Sequence, residues 1–294
     1  MLPGVKTMVL VHFTRTALRT AALAGAAAAI FCAAPVRAAQ CGDDPDGFGS
    51  WLASFKQEAA QQGISRSVIE SALGGLSYDD NVISHDRGQR AFRQSFDRFA
   101  AKHITAFGIK KGRRLLLRYA SALQRIEQRY GVPGPVLVSI WGLETGFGSA
   151  TGNYSTFSAL ATLAYDCRRA ERFHTELLDA LKIVQRGDLT PAGMRGAWAG
   201  EIGQTQFLPS SYLKYAVDVD GNRNGGDLIN SPEDALASTA NFLHANGWQR
   251  GARWDEGQPN FAALLEWNKA TVYAKTVAAF ADKLAGGASD DDQQ

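Results

Sequence analysis

No acidic residue precedes Asp43, and no run of the 294-residue chain is long and apolar enough to favour a permanent transmembrane span. No stretch alternates polar and apolar residues between hairpin turns, which argues against an extended sheet as the scaffold. No internal repeat and no Ser/Pro-rich linker divides the chain. The five histidines (His12, His85, His103, His174 and His244) include no pair at metal-ligand spacing, so zinc chemistry is unsupported. Cysteine is scarce, with three in all.

The stretch before Asp43 reads as a secretory signal over residues 1–38. Lys6, Arg15 and Arg19 form a basic n-region, Ala21 to Ala34 an apolar h-region, and Val36-Arg37-Ala38 a small-residue cleavage site. A retained N-terminal helix is the alternative. Cleavage removes four of the 31 basic residues and none of the 29 acidic ones, so the formal charge of +2 becomes −2. The mature chain therefore has no basic face for nucleic acid and no polybasic segment for an anionic membrane. Cys32 leaves with the leader. Cys41 and Cys167 remain, and in an oxidising compartment they suggest one disulfide; two unpaired thiols are the alternative. Gln40 precedes Cys41 where lipidation signals place a small side chain, which argues against a lipid anchor.

The mature chain of about 250 residues suits one large domain or two intimate subdomains. We place it at 39–285, with a helical part at about 45–130 and a core with its cleft at about 131–285, before an acidic tail at 286–294. Helical spacing covers 48–60 (Trp51, Phe55, Ala59), 64–73 and 86–106 (Phe92, Phe96, Phe99). It continues at 112–130, with Leu115, Leu116, Tyr119, Leu123 and Ile126 as the apolar stripe. Gly131-Val132-Pro133-Gly134-Pro135 then interrupts it. Further helices are expected at 135–145, 169–186, 191–200, 209–216, 232–246 and 268–284. The expected fold class is mainly α.

Val136 to Gly146 is almost wholly apolar until Glu144, which helical spacing places on the face of Val136, Leu137 and Ile140. A carboxyl held there loses solvation on ionising, so it keeps its proton to higher pH and can act as a general acid. Taken alone, the segment reads at least as well as a helix-end carboxylate that caps or pairs with a charge. A second segment, Arg195 to Tyr212, weighs against that. Gly203-Gln204-Thr205-Gln206 offers amides and a hydroxyl that exchange hydrogen bonds with sugar hydroxyls and acetamido groups. Trp198, Phe207 and Tyr212 offer apolar faces to pyranose rings, although each such ring is more often core.

Two of these segments carry a resemblance. Ile140 to Gly148 resembles the catalytic-glutamate motif of the membrane-bound lytic transglycosylase B family, and Arg195 to Tyr212 resembles its second signature. Leu160 to Tyr165, Ala240-Asn241-Phe242 with Gly247-Trp248, and Trp267-Asn268-Lys269 extend the match over roughly 45–285. The resemblance implies a lysozyme-like helical core with flanking helices and, in some members, a small β element. It implies cleavage of the β-1,4 bond between N-acetylmuramic acid and N-acetylglucosamine in the glycan strands of peptidoglycan, in the periplasm. No cofactor is required for that reaction. Glu144 is then the sole acid and base, and the muramoyl C6 hydroxyl closes a 1,6-anhydro ring, so no second carboxylate is needed. Gln206 matches a substrate-contacting glutamine, with Gln204 and Thr205 beside it. Phe242, Trp267 and Tyr273 match aromatic subsite residues.

The match has departures. Ala197 stands where some relatives carry a serine that hydrogen-bonds the acid, and Phe242 and Trp267 stand where tyrosines occur. Those hydroxyl hydrogen bonds are expected to be lost. Glu201 is expected on the solvated surface, a place in the cleft beside Glu144 being the alternative. A muramidase of the same fold that delivers water, and a non-catalytic peptidoglycan-binding scaffold, are the other functional readings. The motifs name no protein partner in cell-wall synthesis or remodelling.

Asp218, Asp220 and Asn222, with the carbonyl of Asn224, give the opening of an EF-hand-like calcium loop, but Arg223 replaces its glycine and Ile229 its final glutamate. The resembling family closes an enlarged loop with a later acid, a part that falls here to Asp234. A metal-free turn is the alternative, and any calcium is structural.

Overall fold

The computed structural model describes residues 41–88, 94–219, 221 and 225–286. The predicted leader, Phe92, the loop residues Asp220, Asn222 and Asn224, and tail residues 287–294 lie outside them. The described chain begins with α1 (Phe48–Gln61), α2 (Arg66–Leu73), α3 (Asp80–Gly88), α4 (Phe96–His103), α5 (Ala106–Arg118), α6 (Ala120–Tyr130) and α7 (Gly134–Thr145). Strand β1 (Tyr154–Ser155), α8 (Thr156–Tyr165), α9 (Ala170–Arg186), β2 (Arg195–Gly196) and α10 (Pro209–Tyr215) follow. The last elements are α11 (Pro232–Ala245), α12 (Phe261–Trp267) and α13 (Thr271–Ala285). Strand pairing among the described residues amounts to one short antiparallel pair, Tyr154 opposite Gly196 and Ser155 opposite Arg195, and isolated bridges, so the mainly α expectation holds.

Local chemistry sets several boundaries. Ser65, Thr105, Ser155 and Ser231 each accept a backbone N–H of the helix they precede, and proline opens α7, α10 and α11. Four expectations need correction. Residues 86–106 are not one helix: α3 ends at Gly88, and α4 starts after Ser95, whose backbone is extended. The 112–130 stripe breaks at Tyr119 between α5 and α6. There Tyr119 meets the ring of Trp141 edge-on.

Residues 191–200 are not helical, because Pro191, Gly193, Gly196 and Gly200 punctuate them into turns and β2. Residues 268–284 do not start as helix either: Asn268 is extended, separating α12 from α13. Helix α8 gave no amphipathic signal because nine of its ten residues are buried.

The helices enclose two cores. One gathers α1, α2 and α3 around α8 and α9, together with Ile202, Phe207 and Tyr212 of the second motif. The other surrounds α7 with α13, α5, α6 and α11. Phe242 of α11 and Trp267 of α12 pack against both, so they mark the seam. The start of the described residues is pinned to the first core by the expected disulfide between Cys41 and Cys167. Beside it, buried Asp86 of α3 pairs with Arg87, Arg168 and Arg169, while Arg87 also reaches Asp166. Burial opposes the charge on Asp86, but the guanidinium groups of Arg168 and Arg169 win and hold its carboxyl below the usual range.

Candidate active site

Helix α7 has no water-facing side over Val136 to Trp141, each at most 3% exposed. Its hydrophobic faces are spent on neighbouring helices, and its C-terminal turn is what reaches the seam. Gly146, at φ 57°, ends the helix in the left-handed region, and its carbonyl accepts from the Lys111 ammonium at 2.9 Å. Buried Thr145 joins the two sequence motifs. Its hydroxyl donates to the Gln204 carbonyl at 2.6 Å and accepts from Gly148 N–H at 2.9 Å.

The second motif is a tight backbone knot. Ile202 bridges both Gly196 and Phe207. Gly203 lies so close to Leu228 that a Cβ on it would stand 2.3 Å from the Leu228 carbonyl oxygen. Gln206 adopts φ 57°, unusual for a side-chain-bearing residue, and its amide donates to Gly203 O at 2.7 Å and Thr151 O at 3.2 Å. Strain of this kind fixes where Gln206 points.

Between motif and helix end lies a cavity of about 280 Å³. Glu144, Glu201 and Gln206 line it, with Phe207, Phe242 and Trp267 as its aromatic wall and Arg172 of α9 at its edge. One oxygen of Glu144, Oε1, accepts from Tyr273 Oη–H at 2.5 Å and from Trp267 Nε1–H at 2.9 Å. Burial pushes the Glu144 carboxyl above the usual range, the two donors pull it back, and the charge of Glu201 raises it further. The result is an acid with one oxygen anchored and the other left for the proton.

The sequence-nominated residues divide. Gln206, Phe242 and Trp267 line the cavity with Glu144. Gln204 and Thr205 do not: both are buried, and the Gln204 amide is used on the Ile229 carbonyl. Tyr273 is no stacking platform either, because it is buried beneath Glu144 as a donor. Trp267, besides walling the cavity, donates its indole N–H to Glu144, a contact that the sequence reading did not assign to it. Trp198 stacks on His85, and Tyr212 is core, its hydroxyl bonded to Gly226 O.

Glu201 is not a solvated surface side chain. It lines the cavity, burial pushes its carboxyl up, and its Oε2 accepts from Ala199 N–H at 3.1 Å. Arg172 was not legible, because the arginines of 168–172 look alike in sequence and only the packing of α9 selects one for the cavity. Of the proposed calcium ligands, buried Asp234 accepts from Val219 N–H at 3.0 Å and Asp227 N–H at 2.8 Å, and Asp218 accepts from Gly221 N–H at 2.6 Å. Among the described residues no three His, Cys, Asp or Glu side chains form a metal-holding group.

Residues 47–257 match the family described as transglycosylase SLT domain. The chain is 39% identical over 155 residues to membrane-bound lytic murein transglycosylase B of Escherichia coli (strain K12), a match covering 52% of this chain and 42% of that protein. SltB3 of Pseudomonas aeruginosa, solved with NAG-anhNAM-pentapeptide and with NAG-NAM-pentapeptide, superposes with a TM-score of 0.77 at 32% identity, over 82% of this chain and 80% of that one. Slt35 of Escherichia coli, solved in complex with calcium, gives a TM-score of 0.70 at 28% identity, over 80% of this chain and 92% of the other.

Proposed function

We propose, since the chain belongs to the transglycosylase SLT domain family, that it is an enzyme of peptidoglycan, a lytic transglycosylase that uses Glu144 as acid and then as base. The observation that carries the reading is the carboxyl of Glu144, lining a cavity where burial favours its protonated form and anchored through Oε1 by Tyr273 and Trp267. The proton passes from Glu144 to the glycosidic oxygen as the bond from muramoyl C1 breaks. Glu144, now a carboxylate, takes the proton of the C6 hydroxyl while that oxygen bonds to C1. Glu144 is thereby restored, and no water is consumed. Gln206, Phe242 and Trp267 hold the sugars against the acid. The anhNAM-containing ligand of SltB3 is in keeping with such a product.

Mass spectrometry of muropeptides released from purified sacculi tests this. Anhydromuramoyl ends, lighter by one water than reducing ends, are expected; reducing ends alone would mean hydrolysis. The hydrolytic reading has one observation in its favour, the second carboxylate Glu201 in the cavity.

Export to the periplasm belongs to the same proposal, supported by the disulfide. Among the described residues no helix is long and apolar enough to cross a membrane. In this proposal the sulfur of Cys41 serves the bond to Cys167 and not a thioether lipid. A structural calcium in the 218–234 loop completes the reading. Asp218 and Asp234 would be its carboxylate ligands, and each now accepts backbone N–H groups of the loop. Such an ion takes no part in bond cleavage. Adding calcium to chelator-treated protein is expected to raise the melting temperature with turnover little changed; no rise would remove the ion from the account.

A further inference from the structure

Two carboxylates share the cavity, and any role for the second rests on the reading of Glu144 as the acid. Glu201 sits in the backbone knot between β2 and Phe207, a place fixed by close apposition. A Cβ on Gly196 would stand 1.8 Å from the Glu201 carbonyl oxygen, so only glycine permits that contact. The side chain is held as firmly, with Oε2 on the Ala199 N–H.

The surroundings of the two acids differ in kind. Glu144 is faced by Tyr273 from α13 and Trp267 from α12, both neutral donors, and by Glu201 from the knot. Lys111 of α5 spends its ammonium on the Gly146 carbonyl. On Glu201 burial is opposed by backbone N–H groups, that of Ala199 among them, and then by the positive charges of Arg172 and Arg169 in the α9 segment. Arg172 lines the cavity itself, whereas Arg169 is shared with Asp86. Burial disfavours charge on both acids. Two acids in one cavity do not titrate independently, and the one beside the cations gives up its proton first.

We propose that Glu201 is a positioning residue for the reaction: its carboxylate, fixed by Ala199 and faced by Arg172, stands ionised across the cavity and keeps the proton on Glu144 until a glycan enters. The single-acid mechanism stays intact, because Glu201 exchanges no proton with the sugar. Its part is to divide the charge states, so that neutral donors surround the acid and cations surround the base-like partner. Relatives without a carboxylate here would hold the proton less strongly at high pH.

The test is the pH profile of the initial rate on purified sacculi at low substrate, whose alkaline limb reports the loss of the Glu144 proton. Glu201→Gln is expected to move that limb to lower pH by about half a unit to one unit. Rates on the alkaline side then fall about three- to tenfold, with the acidic side little changed. Glu201→Asp is expected to restore the limb. A Gln variant whose whole profile is scaled down without displacement would make Glu201 a structural residue and overturn the proposal.

Titration of 13C-labelled glutamate carboxyls in the intact wild-type protein gives the same answer should Glu201→Gln not fold. Glu201 is expected to ionise at lower pH than Glu144, and the reverse order overturns the proposal. The two readings fail separately. Turnover surviving in Glu144→Gln would remove the acid itself, whereas an inactive Glu144→Gln beside an undisplaced Glu201→Gln profile would remove only the role of Glu201.

Discussion

Replacing Glu144 by Gln is expected to lower turnover of purified sacculi about a thousandfold, because one group serves as both acid and base. The substitution is nearly isosteric. Its amide oxygen still accepts from Tyr273 and Trp267, so the pocket keeps its shape. Activity within about tenfold of wild type would remove Glu144 from the chemistry.

The same variant is expected to be more stable than wild type at neutral pH, and the sign follows from burial. The folded protein holds the Glu144 proton more tightly than the unfolded chain does. That contribution is full below the unfolded carboxyl pKa and is lost as pH rises through the raised folded value. Gln does not titrate. The melting-temperature gap in favour of the variant is therefore expected to widen as pH rises above about 4, the ordinary glutamate range.

Removing the disulfide is expected to produce the largest loss of stability. Cys41 and Cys167 lie 126 residues apart in sequence, so the bond closes a long loop in the unfolded chain. Opening it costs about 3–5 kcal/mol on the loop-entropy argument, which for a domain of this size lowers the melting temperature by roughly 10 °C. The native contacts around the bond are backbone hydrogen bonds: Gly42 N–H donates to Tyr165 O at 3.0 Å, and Gly42 also bridges Asp166. They hold the segment in place without supplying what the covalent link removes from the unfolded state. Denaturant unfolding of a Cys41→Ser, Cys167→Ser variant measures the difference, and a change below about 1 kcal/mol would contradict the argument.

Much of this site was legible because its signals are local. Glu144 stood out as a single acid ending an apolar run, and the run became α7. The glycines and amides of the second motif announced a close backbone approach, which Gly196 and Gly203 make. Other features depend on packing that no window of sequence contains. Tyr273 lies 129 residues from Glu144, and nothing about it separates a buried donor from a sugar platform. Glu201 looked like a surface side chain because its burial comes from β2 and α9, not from its neighbours. The helix break at Tyr119 escaped for a related reason: the apolar spacing runs on through it, while α5 packs on α7 and α13 and α6 packs on α11.

The all-apolar α7 has a consequence for how such a protein changes over generations. Most helices here have an outer side on which substitutions pass unnoticed, as the exposed Leu117 of α5 illustrates. From Val136 to Trp141, α7 has none. Drift cannot accumulate there harmlessly, since any altered volume is transmitted to the turn that carries the acid. The segment is therefore shielded from neutral variation by packing as much as by chemistry. Diversity in activity must be sought where the cavity wall is built from elsewhere, at Glu201, Phe242 and Trp267.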